Sequence, residues 1–285
     1  MQKHAHFDLR LHDERELQTL LGESIVERVT LHEWPLSCVQ QLNLTSGRTL
    51  IYKTQFGPTC EPAFYATARS PLLVQAQTIY RQGAYVCMVL AKAPGSPLGT
   101  DILTEEQAVA LGHQLIGQIQ QIKGNLPVYL DLSSELRWRQ YVQSVQQTLQ
   151  RLIAAAQFSQ TSAAAVMHLT QTAQSPTIIE ALLTDVGYVH GDLMAANIMV
   201  DASAAPPHHY VLDWQRPLRG PTGLDLYRFL SALGHEPQFY GSPGMQTLDQ
   251  ILHIGWLTEC AARWFQPGVS GYDGQIAQLI EELEE

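Results

Sequence analysis

The segment His190-Gly191-Asp192-Leu193-Met194-Ala195-Ala196-Asn197, with the later run Val211-Leu212-Asp213-Trp214, constrains this chain more than any other stretch. It sets a carboxylate and an amide five positions apart and then supplies a second carboxylate at the end of an apolar run. Between them, Ile198-Met199-Val200 and Tyr210-Val211-Leu212 read as the arms of a hairpin whose tip spans Ala204 to His209. Such a hairpin carries Asn197 at its start and Asp213 at its end, so both side chains reach one edge. An amide oxygen and a carboxylate are the donors a hard cation such as Mg2+ takes. His208 and His209 are adjacent and project to opposite faces of an extended strand, which argues against a joint metal site.

The same residues resemble the catalytic loop of kinases, His-x-Asp-x-x-x-x-Asn, followed by a strand ending in Asp. Gly191 in place of Arg, and Asp213-Trp214 in place of Asp-Phe-Gly, make the segment similar to the aminoglycoside phosphotransferase and choline kinase family. A third block, Gly220-Pro221-Thr222-Gly223-Leu224-Asp225-Leu226, is similar to that family's Gly-Pro stretch and downstream Asp-Leu. The resemblance implies an α+β, bilobal, protein-kinase-like fold: a small antiparallel-sheet lobe over residues 1–92 and a larger, mainly helical lobe over 93–285. It implies Asp192 as the catalytic base, Asn197 and Asp213 as Mg2+ ligands, His190 as a support of loop geometry, and Asp225 as a buttress of the loop through backbone bonds. The donor would be ATP or GTP, and the γ-phosphate would pass to a hydroxyl of a small molecule. Twelve positions from Asp213 to Asp225 leave no room for the long activation segment with which protein kinases dock a peptide.

The first ninety residues read as a sheet with one crossing helix. Val29 to Trp34, Cys38 to Leu44 and Thr49 to Phe56 are strand candidates, with a turn at Ser46-Gly47-Arg48. Lys53 falls among apolar neighbours of the third strand and needs a partner for its ammonium. Glu61 is the acid that opens the next helix, marked by Pro62 in its first turn. The pair resembles the strand Lys and helix Glu of kinases, in which the Lys contacts nucleotide phosphates, although only seven residues intervene here. The stretch Glu33-Trp34-Pro35-Leu36-Ser37, where a glycine-rich phosphate loop would lie, contains no glycine, so Ser37 and nearby amides are expected to contribute less than such a loop. Tyr85 to Leu90 forms the last strand of the small lobe, and a hinge begins at Ala91. The resemblance implies that Leu90 and Ala91 bind the purine through main-chain groups.

Beyond the hinge the pattern is helical. Thr104-Glu105-Glu106-Gln107 has the form of a capping box ahead of a stripe from Ala108 to Ile122. Ser134 caps a helix through Trp138, Val145 and Leu149, and Ser175-Pro176 starts another to Leu183. With 285 residues, 45% of them hydrophobic, the chain is long enough for two lobes. Met1 to Glu16 lacks the apolar core of a leader, no apolar run is long enough to span a membrane, and Cys38, Cys60, Cys87 and Cys260 are scattered, so a cytoplasmic location with free thiols is expected.

Residues 1–92 hold nine Lys/Arg against eight Asp/Glu, whereas 93–285 hold eight against nineteen. That field repels nucleic acid and attracts a cationic acceptor, such as an amino sugar or amino alcohol. Glu281, Glu282, Glu284 and Glu285 are expected to fray, because carboxylates oppose the dipole at a helix C-terminus. Acceptor identity, the choice of ATP or GTP, and oligomeric state stay open. A nucleotide-binding pseudoenzyme or regulatory module, suggested by the glycine-free loop, and transfer to a protein acceptor are the competing readings.

Overall fold

Alternation of apolar and polar residues between short turns drives the N-terminal part of the chain into strands. In the computed structural model, which describes residues 1–99, 103–237, 240–264 and 271–283, β1 (Gln2–Lys3) and β2 (Arg10–Leu11) precede α1 (Glu14–Leu21) and β3 (Ile25–Trp34). There follow β4 (Ser37–Leu44), β5 (Thr49–Phe56), α2 (Glu61–Thr67), β6 (Ala76–Gln82), β7 (Tyr85–Ala91) and β8 (Ser96–Pro97). Five of these strands form an antiparallel sheet in the order β3-β4-β5-β7-β6. Leu42, Tyr52, Cys87 and Val89 from the sheet bury against Leu17 of α1. The expectation of a single helix here is therefore corrected to two. Asp13 caps α1 through Glu16 N at 2.8 Å while Glu16 Oε2 accepts from Asp13 N at 2.9 Å, a capping box inside a stretch that sequence reading weighed only as a leader candidate.

The chain continues through α3 (Glu105–Gln120), β9 (Leu130–Asp131), α4 (Glu135–Ala154), α5 (Ala163–Thr172), α6 (Pro176–Leu183) and β10 (Val186–Val189). After a 3-10 turn at Ala195–Asn197 come β11 (Ile198–Asp201), β12 (His208–Val211), β13 (Leu218–Pro221), α7 (Gly223–Ala232), α8 (Met245–Trp264) and α9 (Tyr272–Glu281). The helix ends follow local chemistry: Thr104 and Gln107 bond reciprocally across the first turn of α3, Ser134 accepts from Arg137 N, and Pro176 opens α6. Glu281 is still helical, whereas Glu284 and Glu285 of the expected fraying tail lie outside the described residues.

Two compact units result. Met1–Ile102, Gly117–Tyr129 and Asp192–Pro217 form one; Leu103–Ile116, Leu130–Gly191 and Leu218–Glu285 form the other. In the first, β11 pairs with both β12 and β8, and the backbone crosses so closely at Gly95 (φ 84°) that a Cβ would lie 1.9 Å from the Val200 carbonyl oxygen. In the second, Trp138, Leu149, Val166, Leu182, Leu248 and Ile254 share a helical core, and the Trp138 indole donates to Ala173 O at 2.7 Å. There β10 pairs antiparallel with β13 and β9 joins it in parallel, so Val189, opposite Leu218, delivers the chain to His190.

Candidate active site

Lys53 sits mid-strand in β5, between Val39 of β4 and Met88 of β7, and is only 6% exposed. A buried ammonium needs anionic partners, and two are present: Glu61 Oε2 at 2.7 Å and Asp213 Oδ1 at 2.8 Å. Burial acts to lower the Lys53 pKa, but the carboxylates of Asp213 and Glu61 outweigh it and hold the amine charged. Glu61, 1% exposed, is pushed up by burial and drawn back by Lys53. Its Oε2 also accepts from Gln55 Nε2 at 2.6 Å, so strand and helix share one oxygen.

Helix α2 is fastened to the segment after Asp213. Cys60 N donates to Gln215 O at 2.8 Å, and Phe64 stacks on Trp214 with ring centroids 4.3 Å apart and planes at 12°. Trp214 is fully buried, its indole donating to Val211 O at 2.9 Å. Fixing that large ring inward turns the preceding residue the other way: Asp213 has φ 67°, the left-handed region an Asp tolerates better than most residues, and its side chain stays 38% exposed.

Asp192 and Asn197 are joined by one tight turn. Asn197 Nδ2 donates to Asp192 O at 2.9 Å and to Asp192 Oδ2 at 3.2 Å, while Leu212 N donates to Asn197 O at 2.8 Å. The amide nitrogen is thereby spent on Asp192 and the backbone of Asn197 is tied to the residue before Asp213. Asp192, Asn197 and Asp213 offer only oxygen donors toward a metal, and this set fits a hard divalent cation of the Mg2+ kind.

The two residues that precede Asp192 in the chain are anchored to one carboxylate. Asp225, 1% exposed, accepts from His190 N at 2.8 Å and Gly191 N at 3.0 Å, one bond to each carboxylate oxygen. Burial raises its pKa, while His190 and the two amide bonds oppose the rise. Gly191 adopts φ 81°, where an Arg would be strained, which gives the glycine a local reason. His190 is buried at the same turn.

Other residues singled out from sequence are placed differently. Leu90 and Ala91 close β7, and Ala91 N already donates to Gln75 O at 2.8 Å, so that amide is not available to a purine edge. Ser37 is buried and its hydroxyl accepts from the Trp34 indole at 2.7 Å, which ties the glycine-free hairpin to itself. Asp273, one of the carboxylates of the acidic 93–285 half, accepts from the amides of Ser159, Gln160 and Thr161 at 2.6 to 2.8 Å. Gln55 and Tyr65 were not foreseen. The Tyr65 hydroxyl and Gln55 Oε1 are buried and have no hydrogen-bond partner among the described residues.

Comparison with known proteins identifies the family and the fold. Residues 66–260 match the model of the phosphotransferase enzyme family. No curated protein matches the chain in sequence. Among solved structures, an APH(2'')-type enzyme in complex with GDP and kanamycin is similar at TM-score 0.63 and 13% identity, over 94% of this chain and 96% of that one. An APH(2'')-type enzyme with streptomycin and ATP gives TM-score 0.59 at 12% identity, over 96% of each chain. A macrolide 2'-phosphotransferase from Brachybacterium faecium gives 0.53 at 16% identity, over 93% of this chain and 95% of that one. At these identities the likeness is one of fold, and the fold is the kinase-like α+β arrangement.

Proposed function

Because the chain belongs to the phosphotransferase enzyme family, we propose that it moves the γ-phosphate of ATP or GTP to a hydroxyl of a small, cationic acceptor such as an amino sugar or amino alcohol. The observation that carries this reading is Lys53 clamped between Glu61 and Asp213 in the same compact unit as the Asp192–Asn197 turn. Asp192 orients the acceptor hydroxyl. As the acceptor oxygen bonds to the γ-phosphorus and the bond from that phosphorus to the bridging oxygen breaks, Asp192 takes the proton and a nucleoside diphosphate leaves. Lys53 neutralises phosphate charge, kept in direction by Glu61. Mg2+ held by Asn197 and Asp213 would supply further neutralisation of that charge. His190 and Asp225 position the turn rather than touch the acceptor.

With Ala91 N already engaged, a purine donor is sought at Lys92 or beyond, and Leu90 lines the purine. We assign nucleotide binding to residues 1–92 and acceptor binding to 93–285, and place the protein in the cytoplasm. Among the described residues no helix is long and apolar enough to cross a membrane.

The test is phosphate transfer with Mg2+ and ATP or GTP over a panel of amino sugars, amino alcohols, sugars and nucleosides. Asp192→Asn is expected to lower turnover about 100- to 10,000-fold with an unchanged melting temperature; equal turnover in both proteins would sink the assignment. The self-tied Trp34–Ser37 hairpin favours one second reading, a nucleotide-binding pseudoenzyme. Tight Mg-nucleotide binding with no transfer to any acceptor, small molecule or protein, would select it.

A further inference from the structure

Gln55 lies in β5 two residues after Lys53, 1% exposed, with Ser37 of β4 and Val86 of β7 opposite it. Its amide nitrogen is fully used: one bond runs to Glu61 Oε2 at 2.6 Å and a weaker one to Met88 Sδ at 3.6 Å. Its Oε1 is buried with no partner among the described residues. Turning the amide over would set that oxygen against the Glu61 carboxylate, so the orientation is fixed by its neighbours. An apolar side chain of the same length would fill the place without an orphaned acceptor, and the amide therefore calls for an explanation.

Lys53 and Gln55 are two apart on one strand and so share a face. Both end on the same oxygen of α2: Glu61 Oε2 lies 2.7 Å from the Lys53 ammonium and 2.6 Å from the Gln55 amide. Burial pushes the Glu61 carboxyl up, and Lys53 and Gln55 both draw it back. Two of the three ammonium protons of Lys53 are directed at Glu61 and Asp213, which leaves one for an oxygen of the nucleotide. A polyphosphate carries more charge than Glu61 and draws the ammonium toward itself. A Glu61 held by Lys53 alone would follow through its own side-chain torsions, whereas a Glu61 bonded also to Gln55 stays fixed to β5.

We propose that Gln55 is a positioning residue for the nucleotide: by tying Glu61 Oε2 to β5 independently of Lys53, its amide fixes the carboxylate against which Lys53 is held when phosphates engage the ammonium. This rests on the phosphotransferase reading above. The orphaned Oε1 is then the consequence of presenting the amide nitrogen to Glu61.

The test compares full-length wild type with two variants. Gln55→Met keeps the length of the side chain and removes donor and orphan together, while the amide of Gln55→Asn is one methylene too short for Glu61. Affinities for non-hydrolysable ATP and GTP analogues with Mg2+, and for adenosine and guanosine, are measured by displacement of a fluorescent nucleotide. Both variants are expected to lose about 3- to 10-fold in triphosphate affinity, no more than a hydrogen bond to a charged group is worth. Both should bind the nucleosides as wild type does, because these lack the phosphates that Lys53 meets. Equal weakening of triphosphates and nucleosides would reflect a generally loosened site and overturns the proposal. Unchanged triphosphate affinity in either folded variant also overturns it and leaves the phosphotransferase reading standing. Loss of folding in both variants would make Gln55 a residue of the fold alone, which overturns the proposal as well. No triphosphate binding by wild type overturns both readings.

Discussion

At the scale of residues, the Lys53 cluster decides both stability and chemistry. One ammonium neutralises two carboxylates, one of them almost fully buried. Replacing Lys53 with Met strands Glu61 in the interior with Gln55 as its remaining donor, and removing one partner of a buried pair costs about 3–5 kcal/mol. Glu61→Gln is expected to cost less, because Asp213 still holds the ammonium and the amide keeps an oxygen for Gln55. Urea denaturation of both variants at neutral pH measures the difference; equal losses would mean that Asp213 contributes nothing to holding Lys53. A partly buried acid at the surface, Glu23, gives the cleaner pH signature. Ser46 and then Arg48, bonded to Glu23, lower its pKa to about 2. Its folded pKa lies below the unfolded 4.5, so the stability it contributes is present above pH 4.5 and is lost as pH falls through about 2. The melting-temperature gap between wild type and Glu23→Gln should close over that window and stay constant above it.

At the scale of elements, close approach of helices sets the second unit. Gly255 of α8 faces Tyr141 of α4 so tightly that a Cβ would lie 1.9 Å from the Tyr141 hydroxyl oxygen. Gly255→Ala is expected to destabilise by about 1–3 kcal/mol through overpacking; the double variant with Tyr141→Phe, read by chemical denaturation, should recover part of the loss. What sequence disclosed about these elements depended on how local the determining chemistry is. Ser134, Thr104 and Pro176 marked helix starts because a cap acts within three or four residues. α5 escaped notice because only Val166 and Leu169 of its ten residues are fully buried, too few to mark a stripe. β6 escaped because it is paired on one side only, and most of its side chains stay at least partly exposed, so it shows no clear alternation. The Lys53–Glu61 pair was legible from nine residues of chain. The bond from Lys53 to Asp213 spans 160 positions and could be approached only through the resemblance. Gln55 and Tyr65 carried no sequence signal, since what distinguishes them is a buried polar atom left without a partner.

At the scale of the whole molecule, charge makes the last prediction. The chain carries a formal net charge of −10, and its acidic excess falls entirely within residues 93–285. Such a field raises the local concentration of cations and is screened as the Debye length shrinks from about 10 Å at 0.1 M salt to about 3 Å at 1 M. If the acceptor is an amine, its KM should rise about 3- to 10-fold over that range while kcat holds. The measurement needs saturating Mg-nucleotide, because salt relieves repulsion of an anionic donor and would otherwise offset the effect. A neutral acceptor of the same skeleton, with hydroxyl in place of amine, provides the comparison: its KM should stay flat. The same salt response from both acceptors would assign the carboxylates to solvated surface, and selection of the acceptor would then rest on shape and hydrogen bonding alone. A response confined to the amine would tie the asymmetric charge of this chain to its choice of substrate.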